Sequence, residues 1–185
     1  MKFNQHYDLY NAHSFLSPSK HHWINYSDEK LISTYTKFQA TQRGTRLHEL
    51  ASECIKLKVK LPRTKVALNM FVNDAIGLRM ESEQPLYYSE NAFGTADAIS
   101  FKNNFLRIHD LKTGVTRVSM DQLQIYAAFF CLEYGVYPED ISIELRIYQG
   151  DEVIMYEPNP NDIKTIMDTV VRFDKEINII KEQME

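Results

Sequence analysis

The stretch of sequence that decides the fold is residues 93–112, FGTADAISFKNNFLRIHDLK. Two runs that favour β-strands, residues 93–101 and 105–111, flank Lys102-Asn103-Asn104. Asparagine tolerates the positive φ that a two-residue type I′ turn requires. The sequence therefore predicts two antiparallel strands joined by a tight turn at the two asparagines.

The register of this hairpin brings two acidic side chains together. With the turn at Asn103-Asn104, Asp97 faces Asp110, and facing residues have Cβ atoms about 5 Å apart. Like charges at this distance repel, so a stable structure needs a cation between them or a shifted pKa. Because side chains alternate along a strand, Lys112 lies on the same face as Asp110, whereas His109 points to the opposite face, where we expect it in the core or behind the acidic residues.

Two carboxylates beside a lysine suit the hydrolysis of a phosphodiester. Hard oxygen ligands hold Mg²⁺ or Mn²⁺ with open positions for water, and the ion activates that water and neutralises charge on the phosphoryl oxygens. Lys112 could orient the water or stabilise the developing anion. Taken singly, Asp110 and Lys112 also fit exposed charges at a strand end, and Asp97 also fits a turn.

Helices are predicted on either side of this hairpin. The first covers residues 43–55, with Thr45 as its N-cap. The second starts at the capping box Ser119-Met120-Asp121-Gln122 and ends at Gly135. The third runs from about Asn161 towards the C-terminus. Its buried stripe is expected to consist of Ile163, Ile166, Met167, Val170, Ile177 and Ile180.

Further strands are predicted at residues 141–148 and 152–156, around a turn that contains Gly150, and a short one at residues 86–89. The order of helices and strands predicts an α/β fold in which a mixed central β-sheet is flanked by helices. A length of 185 residues with 44% hydrophobic and 25% charged residues is typical of one folded domain, which we expect to span residues 1–185.

The cysteines and the lack of long apolar stretches indicate the cellular compartment. Cys54 and Cys131 lie in apolar helical patterns and suit reduced thiols in a core, as expected of a cytoplasmic protein. No leader and no membrane span is expected, because no stretch approaches about eighteen apolar residues.

Charge is distributed unevenly along the chain. The net charge of -4 argues against nucleic acid as a partner when the chain is taken as a whole. Residues 37–65, however, contain eight basic and two acidic side chains, a local net charge of +6 that leaves -10 for the remainder. Such a run is either a solvated helix face or a surface that attracts phosphates.

Four short motifs follow one another between residues 44 and 126. They are Gly-Thr-x-x-His at residues 44–48, Gly-x-x-Asp at 94–97, Asp-x-Lys at 110–112 and Gln-x-x-x-Tyr at 122–126. This series resembles the PD-(D/E)XK nuclease superfamily, and within it the RecB-type exonuclease domains with their CRISPR-associated and phage relatives. The resemblance implies a restriction-endonuclease-like core whose motifs occupy residues 44–126.

The resemblance also implies roles for individual residues. The implied metal ligands are Asp97, Asp110 and His48, with help from Glu49 or Glu53. The implied catalytic residues are Asp97, Asp110 and Lys112, together with Gln122 and Tyr126, which would contact the DNA backbone or the lysine. Ala96 stands where the family has proline. Many relatives hold an iron-sulfur cluster with four cysteines, which two widely spaced cysteines cannot supply, so we expect Mg²⁺ or Mn²⁺ and no cluster.

DNA contacts are expected on the basic segment, which brackets the helix of His48. The candidates for contacts with the phosphate backbone are Arg43, Arg46, Lys56, Lys58 and Lys60. Tyr87, Tyr88 and Phe93 could stack on an unpaired base, although aromatic residues in such a run are more often part of the core.

The expected function is a metal-dependent deoxyribonuclease, acting as an exonuclease in recombination, repair or phage DNA metabolism. It would work in the cytoplasm, which is the host cytoplasm if a phage encodes it. The alternative is a catalytically inactive DNA-binding or assembly subunit of a recombination or replication complex. Beyond DNA, the expected partners are a helicase or annealing protein and further copies of this chain.

Overall fold

The computed structural model describes residue 5, residue 7 and residues 14–116 and 118–184. The chain divides into two compact units, Met1–Thr45 and Arg46–Glu185. In the first unit, a 3-10 helix at Pro18–Asn25 precedes the start of a long α-helix. The indole N–H of Trp23 donates to the carbonyl of Ser17 at 2.9 Å and anchors this short helix to the residue before it.

Helix α1, Asp28–Leu57, is 30 residues long and begins well before the predicted residue 43. The hydroxyl of Ser27 accepts a hydrogen bond from the backbone N–H of Lys30 at 3.3 Å, which is a typical contact at a helix start. Thr45 lies inside the helix and donates its hydroxyl to a carbonyl one turn earlier, so its prediction as the N-cap is wrong. The sequence signal for the earlier start is the helical spacing of Leu31, Tyr35 and Phe38.

A five-stranded sheet forms the centre of the second unit, with its strands in chain order across the sheet. The strands are β1 Glu81–Ser89, β2 Ala92–Lys102, β3 Phe105–Lys112, β4 Ser142–Gln149 and β5 Glu152–Tyr156. Strands β3 and β4 pair parallel and the other neighbours pair antiparallel. The predicted α/β fold with a mixed central sheet is confirmed.

Strands β2 and β3 form the predicted hairpin. Both turn residues have positive φ, 53° at Asn103 and 55° at Asn104. Ala98 faces His109, which is the predicted register. The strand predicted at residues 86–89 is the second half of the longer strand β1.

Three more helices flank the sheet: α2 Ala67–Gly77, α3 Asp121–Tyr134 and α4 Pro160–Met184. The capping box predicted for α3 does not form, because the Ser119 hydroxyl donates to the carboxylate of Asp121 at 2.9 Å instead. The end of α3 is as predicted, with Gly135 in the left-handed region at φ 63°.

Helix α2 was missed, although Ala67, Phe71, Val72 and Ala75 recur at helical spacing and are buried. It lies between α1 and the sheet in chain order and supplies part of the core on one face. Within the described part of the chain, none of the helices combines the length and the apolar composition of a membrane span.

The buried stripe of α4 is shorter than predicted. Ile163 is fully buried, but Ile177 and Ile180 are 38% and 53% exposed. A helix of 25 residues rises about 37 Å, well beyond the 14-residue helix α3 on which it packs. In this distal part the helix is held by polar contacts, such as that from the Lys181 ammonium to the side-chain carbonyl of Asn91 at 2.6 Å.

The two faces of the sheet carry separate cores. Leu106, Ile108 and Leu123 belong to the cluster beneath α3, whereas Phe71, Leu111 and Tyr148 belong to the cluster beneath α2. Cys54 and Cys131 are buried free thiols, one in each cluster, as predicted. Burial raises the pKa of the Cys131 thiol to about 11.

His109 lies on the α2 face of β3, opposite to Asp110, as the strand alternation predicted. It is fully buried, and its Nδ1 lies 3.2 Å from the hydroxyl of Tyr148, which donates to Asp74 at 2.7 Å. On its other side, Nε2 lies 3.7 Å from the carboxylate of Glu144. The same carboxylate pairs with Arg146 at 3.0 Å and with Arg107 at 3.5 Å, so His109 shares Glu144 with two guanidinium groups.

Candidate functional site

The end of β3 carries the first part of the site. Asp110 is only 3% exposed, and the ammonium of Lys112 donates to its Oδ1 at 3.2 Å and lies 3.0 Å from its Oδ2. The two residues are two apart on one strand, so their side chains share a face, as predicted. This pair leaves Oδ2 of Asp110 buried without a hydrogen bond of good geometry from any described residue.

Helix α3 places two more predicted residues beside this pair. The Lys112 ammonium donates to Oε1 of Gln122 at 2.7 Å, and the amide of Gln122 donates to the Tyr126 hydroxyl at 3.3 Å. Gln122 and Tyr126 are one turn apart on the same side of the helix. Of the two contacts expected for this helix, the one to the lysine is therefore present.

The glycine of the Gly-x-x-Asp motif makes room for Tyr126. A methyl group at Gly94 would lie 2.9 Å from Cε1 of the Tyr126 ring, closer than real Cβ contacts come. Strand β2 can thus approach the ring only because residue 94 lacks a side chain. Sequence reasoning identified this glycine by its motif but not by this contact.

Asp97 is positioned by an irregularity in the hairpin. The pairing of β2 with β3 ends at Ala98 and His109, one step before Asp97 would face Asp110. Instead, Oδ2 of Asp97 accepts a hydrogen bond from the backbone N–H of Leu111 at 2.9 Å. The carboxylate therefore replaces a backbone acceptor across the strands, which fixes its orientation.

The carboxylate of Asp97 belongs to a group of three potential metal ligands. Atoms of His48, Glu83 and Asp97 lie within 4.8 Å of one another, and Nδ1 of His48 is 3.2 Å from Oδ2 of Asp97. His48 was predicted here from the Gly-Thr-x-x-His motif. Glu49, the other residue predicted from that helix, is exposed and is not in this group.

Glu83 is the site residue that sequence reasoning missed. In β1 it lies between Ser82, which faces Ala98, and Gln84, so its position opposes Asp97. Its φ is 51°, in the left-handed region that side chains rarely adopt. Strain of this kind is often concentrated at functional positions. Only the extension of β1 upstream of residue 86 would have revealed it.

The electrostatics of the site favour an added positive charge. Burial raises the pKa of Asp110, and repulsion from Asp97 raises it further against the opposing effect of Lys112. Burial and the charge of Asp97 likewise raise the pKa of Glu83. The hydrogen bond to Asp97 raises the pKa of His48. These carboxylates thus lack sufficient counter-charge among the described residues, and a cation or a proton would relieve them.

The predicted phosphate-binding residues are all exposed. Arg43 belongs to the first unit and Arg46 to the second. Lys56 is near enough to Glu83 to lower its pKa, and it lines a cleft together with Lys58. Lys60 lines a different cleft. Lys56 is therefore the basic residue tied most directly to the acidic group.

The chemistry available to this site follows from its donors. Carboxylate oxygens and an imidazole nitrogen at these distances suit a small divalent cation after modest side-chain rotation. The ammonium of Lys112 is held beside them by a carboxylate and an amide. Such a site can polarise a water molecule and stabilise negative charge on a bound oxyanion. Comparison of this chain with family models, with characterised proteins and with solved structures found no match.

Proposed function

We propose that this protein is a metal-dependent deoxyribonuclease that hydrolyses phosphodiester bonds with Mg²⁺ or Mn²⁺. The observation that carries the proposal is the position of the Lys112 ammonium, which is fixed between Asp110 and Gln122. A lysine tied to a buried carboxylate and flanked by further potential ligands suits metal-assisted hydrolysis of a phosphodiester, because its ammonium can stabilise the developing anion. A lysine whose only role is solubility has no need of these partners.

The topology gives further support to the resemblance with PD-(D/E)XK nucleases. Helix α1 precedes the antiparallel strands β1, β2 and β3, and helix α3 then leads to β4, which pairs parallel with β3. The resemblance implies a helix, two strands and a second helix that carry the four motifs in this order. In this chain the motif residues lie on α1, β2, β3 and α3.

In the proposed mechanism, His48, Glu83 and Asp97 would hold the metal, and Oδ2 of Asp110 would be a further ligand from outside that group. The donor set fits, because it is made of hard oxygen atoms and one imidazole, and Oδ2 of Asp110 is buried without a hydrogen bond from the described residues. When bound, the ion would supply a water of lowered pKa and positive charge near the phosphoryl oxygens. Lys112 would stabilise the developing anion at its ammonium, and Gln122 and Tyr126 keep the ammonium in place.

The biological role proposed for this activity is inferred from the resemblance. Exonuclease action in recombination, repair or phage DNA metabolism is the corresponding proposal, in the cytoplasm and with a helicase or annealing protein or a second copy of the chain as partners. The competing proposal, an inactive DNA-binding or assembly subunit, is disfavoured by Asp97, Asp110 and Lys112, which are all retained.

The proposal is tested with end-labelled linear DNA, single-stranded and double-stranded, and with a circular single strand. We expect cleavage with Mg²⁺ or Mn²⁺ and none with EDTA, and loss of the linear substrates alone would establish exonuclease action. DNA binding without cleavage under any of these conditions would overturn the proposal in favour of the inactive subunit.

Two glutamates give a matched test of the ligand set. Glu83→Gln is expected to raise the Mn²⁺ concentration for half-maximal cleavage by about tenfold or more, because a neutral amide replaces a carboxylate ligand. Glu49→Gln, on the exposed side of α1, should leave that concentration unchanged. The reverse result would return Glu49 to the ligand set and remove Glu83 from it.

Gly94→Ala tests the support behind Lys112. The new methyl group must displace the Tyr126 ring and with it the bond to Gln122, so we expect the cleavage rate to fall by about tenfold to hundredfold at saturating metal. Gly114→Ala is the control, since no described atom lies within 4 Å of the added group. A Gly94→Ala protein as active as the wild type would show that the position of Tyr126 is irrelevant to the reaction.

A further inference from the structure

Two aromatic side chains stand exposed near the turn that joins β1 to β2. Tyr87 and Phe93 face each other in the strand register and are 51% and 66% exposed. Their ring centroids are 6.5 Å apart and the rings are inclined by only 28°. The interpretation of these two residues as core is therefore wrong. Tyr88, the third aromatic residue of this run, is half-buried and lies where the register between β1 and β2 shifts.

This aromatic pair lies on the same two strands, β1 and β2, as Glu83 and Asp97 of the acidic group. By strand alternation, Phe93 and Thr95 point to one side of β2, and Gly94 and Ala96 point to the side of α3. The burial agrees, since Thr95 is exposed, Ala96 is fully buried and Gly94 meets Tyr126 of α3. Asp97 is four positions further along β2 than Phe93, which corresponds to about 13 Å. The aromatic pair is therefore a short distance along the strand from a candidate metal ligand.

The size of the pair indicates what could cover it. Two aromatic side chains offer at most about 500 Å², well below the roughly 1,000 Å² that a specific protein interface buries in total. A nucleobase matches one or two rings in area and stacks on their faces. A distance of about 13 Å corresponds to about four nucleotides at the stacked rise of about 3.4 Å per nucleotide. The separation of the aromatic pair from Asp97 thus matches the length of a short piece of single strand.

We propose that Tyr87 and Phe93 form a stacking platform for an unpaired base of a single-stranded segment whose backbone runs to the group of His48, Glu83 and Asp97. The inference deepens the proposed nuclease function and rests on it. The position of the metal group sets the direction in which the bound DNA strand would run from the platform. A base inside a duplex is already stacked on both sides, so the platform selects single strands or frayed ends. It thereby gives the site a preference for substrate structure that the metal ligands alone do not provide.

The platform is tested by binding in EDTA, where no cleavage interferes. The fluorescence anisotropy of a labelled oligothymidylate of sixteen nucleotides is expected to show about tenfold to hundredfold weaker binding by Phe93→Ala, and a further loss when Tyr87→Ala is added. Binding to a blunt hairpin duplex should change by less than about twofold. Tyr137→Ala is the control, because Tyr137 has the same 66% exposure as Phe93 and lies after α3 in the chain, outside β1 and β2.

A spectroscopic variant separates stacking from a loss of structure. Phe93→Trp should keep the affinity of the wild type, and its indole emission should be quenched when the oligonucleotide stacks on it. Unchanged affinity in Phe93→Ala, or unquenched emission in Phe93→Trp, would overturn the platform and leave the nuclease proposal standing if cleavage persists.

The opposite combination is equally informative. If the wild type binds single strands through Phe93 but cleaves nothing, the platform stands and the nuclease proposal fails. If the wild type binds neither oligonucleotide, the platform is overturned.

Discussion

Lys112→Met is expected to lower the rate of DNA cleavage by about a thousandfold. The substitution keeps an unbranched side chain that is one atom shorter, and it removes the ammonium that lies 3.0 Å from Asp110 and 2.7 Å from Gln122. Loss of one preorganised donor to a developing oxyanion costs about 10²- to 10³-fold in other hydrolases. Here the loss is compounded, because Asp110 also loses the one neighbour that lowers its pKa most strongly and becomes easier to protonate.

The measurement is the single-turnover rate at saturating Mn²⁺, compared with that of Lys102→Met. Lys102 is exposed at the far end of the same hairpin, so its variant removes an equal charge from the same pair of strands. We expect this control to cleave at the rate of the wild type. If Lys112→Met keeps more than a tenth of the activity, the lysine has no direct part in the reaction.

A second large effect is expected on stability at acid pH. His109 is fully buried, and its pKa is lowered to about 3, chiefly by burial and then by the charges of Arg146 and Arg107. In the unfolded chain the same imidazole titrates near 6.5. Between these values the unfolded state binds a proton that the folded state does not, so stability is complete above pH 6.5 and falls as the pH drops towards 3. At pH 4 the expected loss is about 3 kcal/mol.

The nearby Glu144 does not reverse this sign. Its carboxylate is 3.7 Å from Nε2 of His109, but it already pairs with Arg146 at 3.0 Å and with Arg107 at 3.5 Å. The two guanidinium groups therefore outweigh the single carboxylate that the imidazole meets. The two guanidinium groups lower the pKa of His109 and so favour its neutral form, whereas Asp97 raises the pKa of His48.

Urea unfolding at pH 7, 5.5 and 4 measures the effect. His109→Gln is expected to be less stable than the wild type at pH 7 but to lose less stability on acidification, and His22→Gln, an exposed control, should follow the wild type. Equal acid sensitivity of His109→Gln and the wild type would contradict the assignment. An NMR titration of the His109 ring in the wild type provides the answer even if the variant does not fold.

His48 was predicted through its motif, whereas the side chains that share a face could be predicted from fixed periods. Asp110 and Lys112 share a face because strand side chains alternate, and Gln122 and Tyr126 share a side of α3 because they are four apart. The register of β2 and β3 could also be predicted, because the position of the two-residue turn at Asn103 and Asn104 decides which residues face each other. Such local rules require no knowledge of the rest of the chain.

The parts that were missed depend on departures from those rules. Glu83 reaches the site from a left-handed backbone position, which no alternation pattern includes. Asp97 bonds to the backbone of β3 instead of facing Asp110 in a regular pair. The Ser119 hydroxyl had two partners in reach, the helix backbone and Asp121, and the sequence alone does not rank them. These outcomes are decided by tertiary contacts.

The left-handed backbone of Glu83 affects how readily β1 could pair with a strand of another molecule. Strand β1 is nine residues long and forms one margin of the sheet, where unpaired backbone groups could template the addition of a strand from another molecule. A left-handed residue carrying a charge, followed two positions later by Pro85, interrupts that row of donors and acceptors. Glu83, which completes the acidic group, thus also makes the edge strand a poorer template for strand addition, the first step of edge-to-edge aggregation.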